Sequence, residues 1–112
     1  VNGTPIGMFP EVDDTPYDGG QLKDDQLVFD TVYNPERTLL LKSAMNAGCP
    51  VISGLQMFIR QAAYQYRLFT AQEPPVKTMV ETLKRAISAI NYQVDEELEA
   101  DAEDGLGAEA DD

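Results

Sequence analysis

Apolar positions fall into short blocks whose spacing changes from one block to the next. Residues 27–33, LVFDTVY, are apolar at nearly every position except Asp30 and Thr31. Such a block, short and rich in β-branched and aromatic residues, predicts a parallel strand buried on both faces. Asn34-Pro35-Glu36 follows at once. It reads as a helix start, with asparagine as cap, proline at the first helical position and an acid at the positive end of the helix. The helix carries Leu39, Leu40, Leu41, Ala44 and Met45 and stops at Gly48. Residues 51–53 predict a second strand, Gly54 a hinge, and residues 55–69 a second helix. That helix has two apolar stripes. Leu55, Phe58 or Ile59, Ala62, Tyr66 and Phe69 are placed to face the sheet, while Met57, Gln61, Tyr64 and Leu68 form the other stripe. Pro74-Pro75 opens a last helix with Val76, Met79, Val80, Leu83, Ile87 and Ile90 along one side.

Alternation of strand and helix with short joins predicts an α/β fold with parallel pairing. Residues 1–20 hold three prolines and four glycines and read as loop, with Val1-Asn2 resembling the last residues of a strand. Two strands and a stub are too few for an independent doubly wound sheet. The expectation is therefore the second half of a Rossmann-like doubly wound parallel sheet with C-terminal helices.

Charge changes the picture at one end only. The chain has 112 residues and a net charge of −12, yet residues 95–112 contain ten acidic and no basic residues, leaving −2 on residues 1–94. The expected organisation is a domain over 1–94 and an acidic, disordered tail over 95–112. The tail reads as a solubilising segment or as a docking arm for a basic partner. No basic patch argues for nucleic acid, and no apolar run approaches a membrane span. A lone Cys49 and the absence of histidine fit a cytoplasmic protein without disulfides and exclude histidine-based catalysis and histidine metal sites from these residues. No metal-ligand pattern is present.

Three motifs carry a resemblance. Asn2-Gly3-Thr4-Pro5-Ile6-Gly7-Met8 is similar to the N-x-T-P-x-G-M segment of shikimate dehydrogenases. Residues 28–41, VFDTVYNPERTLLL, resemble that family's D-x-x-Y-x-P-x-x-T-x-L-L element, and residues 53–70 resemble its G-x-x-M-x-x-x-Q-A signature. The similarity runs in register from residue 1 to about 91. Ser53 stands where single-function bacterial members commonly have aspartate, which resembles the bifunctional dehydroquinate dehydratase–shikimate dehydrogenase type. Gly3 and Gln56 also depart from commoner family residues.

The resemblance implies the later part of the cofactor domain of an NADP-dependent enzyme, with NAD as an alternative, that interconverts 3-dehydroshikimate and shikimate. The family's N-terminal substrate domain, its catalytic lysine–aspartate pair and its phosphate-binding glycine turn have no counterpart in these residues. No catalytic residue is therefore assigned, and the isolated chain is expected to be inactive.

The resemblance makes Tyr33 and Gln61 substrate-binding residues and Thr4, Thr31, Gly54 and Met57 cofactor-facing ones. Each has a plainer reading: a packed tyrosine, an exposed glutamine, a loop cap, an ordinary strand residue, a tight turn and core filling. Asn2 is expected to order the loop around Thr4. Asp30, a lone carboxylate in an apolar strand, reads as an acceptor of nearby hydrogen bonds rather than an acid–base group. In a sheet of order 3-2-1-4-5-6, residues 27–33 form the fifth strand beside a mostly absent fourth. The open edge predicts a homodimer. A quinate or quinate/shikimate dehydrogenase, and a non-catalytic interaction module using the acidic tail, remain competing functions.

Overall fold

The computed structural model describes residues 1–110. The chain falls into two compact units, Val1–Val80 and Glu81–Asp112. In the first, a 3-10 turn at Gly19–Gln21 precedes β1 (Val28–Phe29), α1 (Leu39–Asn46), β2 (Val51–Ile52) and α2 (Gly54–Thr70). The helix α3 (Val76–Ala110) begins in the first unit and continues into the second.

Among the described residues, β1 and β2 form a two-stranded parallel sheet in which Val28 faces Val51 and Phe29 faces Ile52. Asn2 extends it with a parallel bridge to Asp30 on the other side of β1. The Asn2 amide donates to the Phe29 carbonyl at 2.8 Å, and the Thr31 amide donates to the Asn2 carbonyl at 3.1 Å. The observed order is therefore first segment, β1, β2, all running the same way, as the α/β reading requires.

The predicted strand over 27–33 is shorter and less buried than its composition suggests. Val28, Asp30 and Val32 are buried, Phe29 and Thr31 are half-buried, and Leu27 and Tyr33 are exposed. Helix α1 packs on Val28, and its cap Thr38 bonds Asp30. Leu40, Leu41 and Ala44 pack with Val28 and Cys49, and Leu22, Ala47 and Val51 border this core. Burial of a leucine side chain contributes about 1.5–3 kcal/mol, so Leu40 and Leu41 hold the helix on the sheet. Phe29 and Thr31, which alternate with Val28, Asp30 and Val32, are only half-buried. An apolar composition therefore yields one buried face rather than two.

The start of α1 corrects a second expectation. Asn34 does not cap it: residues 34–37 form a bend, and Thr38 is the cap, its Oγ1 accepting the Leu41 amide at 3.2 Å. Thr38 prevails because its hydroxyl also donates to Asp30 Oδ2 at 2.7 Å. That tertiary bond fixes the point at which the helix begins. The end of α1 follows the sequence. Gly48 has φ +82°, its amide donates to Met45 O at 3.1 Å, and the Cys49 amide donates to Ala44 O at 2.9 Å. A residue with a Cβ is disfavoured in this left-handed backbone region, and the paired bonds satisfy carbonyls the helix leaves open.

In α2 the buried residues are Gly54, Leu55, Ile59 and Ala63. Ile59 rather than Phe58 continues the inner stripe, and Phe69, expected inside, is 88% exposed. It lies in the final turn of α2, after the inner stripe has ended. In α3 Met79, Val80, Leu83 and Ile87 are half-buried, as the stripe predicts, while Ile90 is exposed. Residues 95–110 continue α3 as helix, extending the helical start that their composition allows. Glutamate, alanine and leucine are strong helix formers, and they dominate this stretch.

Candidate functional site

All six candidate positions follow the carboxyl ends of the three parallel segments. Thr4 lies two residues beyond Asn2, Thr31 and Tyr33 lie just past β1, and Gly54, Met57 and Gln61 open α2 after β2. In open parallel sheets this end is where ligands bind.

The tightest approach is at Gly54. A Cβ there would stand 2.5 Å from the Val32 carbonyl oxygen and would also collide with that of Thr31. Glycine is needed because the exit of β1 lies against the first residue of α2, and not merely for a turn. Ser53 caps the helix reciprocally. Its Oγ accepts the Gln56 amide at 3.2 Å, and Gln56 Oε1 accepts the Ser53 amide at 3.2 Å. The expectation of Ser53 within the strand missed this S-x-x-Q capping box, which accounts for two departures from common family residues as a mutually satisfied pair.

Tyr33 is 38% exposed, with its ring tilted by 47° against Phe58 at 5.2 Å between centroids. Phe58, not anticipated as a partner, thus ties the end of β1 to the first turns of α2. Met57 is half-buried, and Gln61 is exposed one turn further along. The stripe continues through Tyr64 and Leu68, both exposed.

The two threonines have clear local tasks. Thr4 Oγ1 donates to Asn2 Oδ1 at 2.6 Å and accepts the Ile6 amide at 3.2 Å. Its amide also donates to Asn2 Oδ1 at 3.0 Å. Thr31 Oγ1 donates to the Asn2 carbonyl at 2.8 Å. Both hydroxyls are therefore engaged in fixing the first segment.

Asn2 and Asp30 organise this end of the sheet. Asn2 Nδ2 donates to Asp30 Oδ1 at 3.1 Å and to the Ile6 carbonyl at 3.2 Å. The fully buried Asp30 also accepts from the Val32 amide at 3.0 Å and from Thr38. Satisfied donors on both oxygens make it a structural carboxylate, as its apolar setting suggested.

Two cavities flank these residues. One of about 600 Å³ is lined by Asn2, Gly3, Thr4, Tyr17, Leu27 and Leu40, among others. It shares Thr4 with the candidate set but none of Tyr33, Gly54, Met57 or Gln61. A smaller one of about 160 Å³ lies at the capping box and includes Arg37 and Met45. Among the described residues no group of acidic or cysteine side chains is arranged to hold a metal ion, and no helix is long and apolar enough to cross a membrane.

Parallel strands joined through helices, with the strand exits meeting the start of α2 at a tight glycine, give the chain a Rossmann-like α/β architecture. Residues 54–84 match the family model for the shikimate 5'-dehydrogenase C-terminal domain. A shikimate dehydrogenase (NADP(+)) from Methanothermobacter thermautotrophicus is 39% identical over 89 residues, covering 79% of this chain and 31% of the relative. Among solved structures, quinate dehydrogenase from Corynebacterium glutamicum in complex with NAD is 44% identical with a TM-score of 0.67, covering 75% of this chain and 29% of that one. Shikimate 5-dehydrogenase from Thermus thermophilus in complex with NADP(H) and shikimate is 30% identical with a TM-score of 0.67, covering 76% and 32%. The chain belongs to the shikimate dehydrogenase family and corresponds to its C-terminal part. It spans about a third of the length of the relatives it matches.

Proposed function

We propose that the complete gene product is an NADP-dependent shikimate dehydrogenase, to which this chain contributes part of the cofactor cleft and one side of the substrate site. The observation that carries this reading is the gathering of the family-matching residues at one sheet end, with Gly54 seated against the backbone of Thr31 and Val32. The half-buried thioether of Met57 fits a flat cofactor ring passing over the start of α2. Thr4, Thr31, Gly54 and Met57 would hold the nicotinamide cofactor, which supplies hydride transfer to or from the substrate carbon when bound. Tyr33 and Gln61 would orient the substrate hydroxyls, the amide offering both donor and acceptor. Acid–base chemistry is assigned to no residue of this chain. NADP-dependent biosynthetic chemistry and an unpaired Cys49 support a cytoplasmic setting.

The test is kinetic. Wild-type complete protein should reduce NADP⁺ in the presence of shikimate, read as NADPH absorbance. Tyr33→Phe and Gln61→Leu should each lower kcat/KM for shikimate roughly 10- to 100-fold, the effect of stranding one substrate hydrogen bond. Both positions are exposed, so melting temperatures should barely change. Absence of shikimate-dependent NADPH formation would overturn the reading. The 44% identity to an NAD-bound quinate dehydrogenase favours one competitor, and a higher kcat/KM for quinate with NAD⁺ would select it.

The open side of β1 supports self-association of the 112-residue chain. Pairing with the first segment is confined to Phe29 and Thr31, Leu27 is 60% exposed, and the 600 Å³ cavity lies alongside. An open strand edge is a template for a second strand, here from a second copy. Light scattering at high concentration should report a dimer; a monomer would count against this pairing.

A further inference from the structure

We propose that Asp30 is a positioning residue for both ligands of the reaction, although it touches neither. The inference rests on the functional reading above. One carboxylate, fully buried, receives donors from three separate parts of the fold: Asn2 from the first segment, Val32 from the strand exit and Thr38 from the start of α1. Each bond controls a different neighbour of the site.

The Asn2 branch leads to the cofactor side. With its Nδ2 held by Asp30, the Asn2 amide is oriented so that Oδ1 receives both the amide and the hydroxyl of Thr4. The same Nδ2 reaches Ile6 O, and Thr4 Oγ1 receives the Ile6 amide. The loop of residues 2–6 is thus wound around one side chain whose rotation is fixed by one carboxylate. The Val32 branch leads to the substrate side. By taking the Val32 amide, Asp30 draws the backbone out of the ladder just past β1, the local bond by which aspartate ends a strand. This turn delivers Tyr33 to Phe58 and brings the Val32 carbonyl to Gly54. The Thr38 bond fixes the start of α1, leaving the carboxylate little freedom to rotate.

The cofactor branch predicts a distinct kinetic signature in the complete protein. Asn2→Ala cuts only the cofactor branch. It should raise KM for NADP⁺ about tenfold and leave KM for shikimate within about twofold, as expected for the loss of one buried hydrogen-bonded partner. Asp30→Asn retains an oxygen for Asn2 and Val32 and should hold KM for NADP⁺ within about threefold of wild type. Hydrogen exchange of peptides covering residues 2–8 should accelerate in Asn2→Ala and stay near wild type in Asp30→Asn. A merely structural role would lower the active fraction, seen in kcat, with both KM values unchanged; that result overturns the proposal. So would an Asp30→Asn variant as impaired in KM for NADP⁺ as Asn2→Ala. If the wild-type protein does not oxidise shikimate, the functional reading fails and the exchange data decide: unchanged exchange in Asn2→Ala refutes the positioning role, and acceleration with rescue in Asp30→Asn sustains it.

Discussion

Gly54→Ala is expected to cost both stability and activity. The added methyl group would stand 2.5 Å from the Val32 carbonyl oxygen, with the Thr31 carbonyl also in its path. Both obstacles are backbone, so no side chain can swing away. Either β1's exit or the start of α2 must shift. Overpacking of this kind typically costs about 1–3 kcal/mol, and this site belongs at the upper end because neither partner is free. Moving the start of α2 also moves Met57 and Gln61 together. A displacement of about 1 Å at such groups lowers turnover by about 100-fold. Urea denaturation of the variant should show the stability loss, and kinetics of the complete protein should show the fall in kcat/KM. Wild-type stability and wild-type kinetics would mean that the close approach at Gly54 is absent in solution.

Asp30→Ala should unfold at markedly lower denaturant concentration. The change strands the Val32 amide and the Thr38 hydroxyl and removes one of the two acceptors of Asn2 Nδ2. A buried donor left without its acceptor costs about 1–3 kcal/mol. Thr38 can rotate its hydroxyl and Asn2 keeps Ile6 O, so the sum is put at about 3 kcal/mol rather than three full penalties. Against the roughly 5–15 kcal/mol that separates folded from unfolded domains, this is a large share. Asp30→Asn, which preserves the oxygen facing Asn2 and Val32, should lose about 1 kcal/mol. Equal midpoints for the alanine variant and wild type would show that the carboxylate is not the hub the hydrogen bonds describe.

These two residues also show what could be read from the sequence. Asp30 stood out because a charge in an apolar strand must be satisfied, and the structure supplies three donors. The nearby Val32 amide is the kind of donor the sequence implied, but Asn2 and Thr38, 28 residues before and eight after, were not legible. Gly54 was legible as a glycine of special need, but its reason came from a strand more than twenty residues upstream. Parallel pairing followed from alternation of strands and helices. The cap of α1 was misplaced because Asn34-Pro35-Glu36 satisfies every local rule for a helix start, and only the Thr38–Asp30 bond overrides it. The second error came from strand composition. LVFDTVY reads as buried on both sides, yet local pattern cannot say which elements arrive to cover each side. Ser53 and Gln56 were the reverse case: assigning Ser53 to the strand hid a local S-x-x-Q spacing whose reciprocal bonds need no tertiary help.

The turn that ends α1 leaves the protein with an internal clock. Gly48 swings the chain so that Cys49 falls into the core beside Val28 and Leu41, where its Sγ lies 3.0 Å from the Lys23 carbonyl as a donor. Since it is the chain's lone cysteine, any thiol reagent has a single target, and that target is shielded until α1 lifts from the sheet. The rate of its modification therefore times the opening of the α1–β1 core. A simple colorimetric reaction can then follow, residue-specifically and without added labels, how each substitution at Asp30, Thr38 or Gly54 loosens the packing of α1 on the sheet.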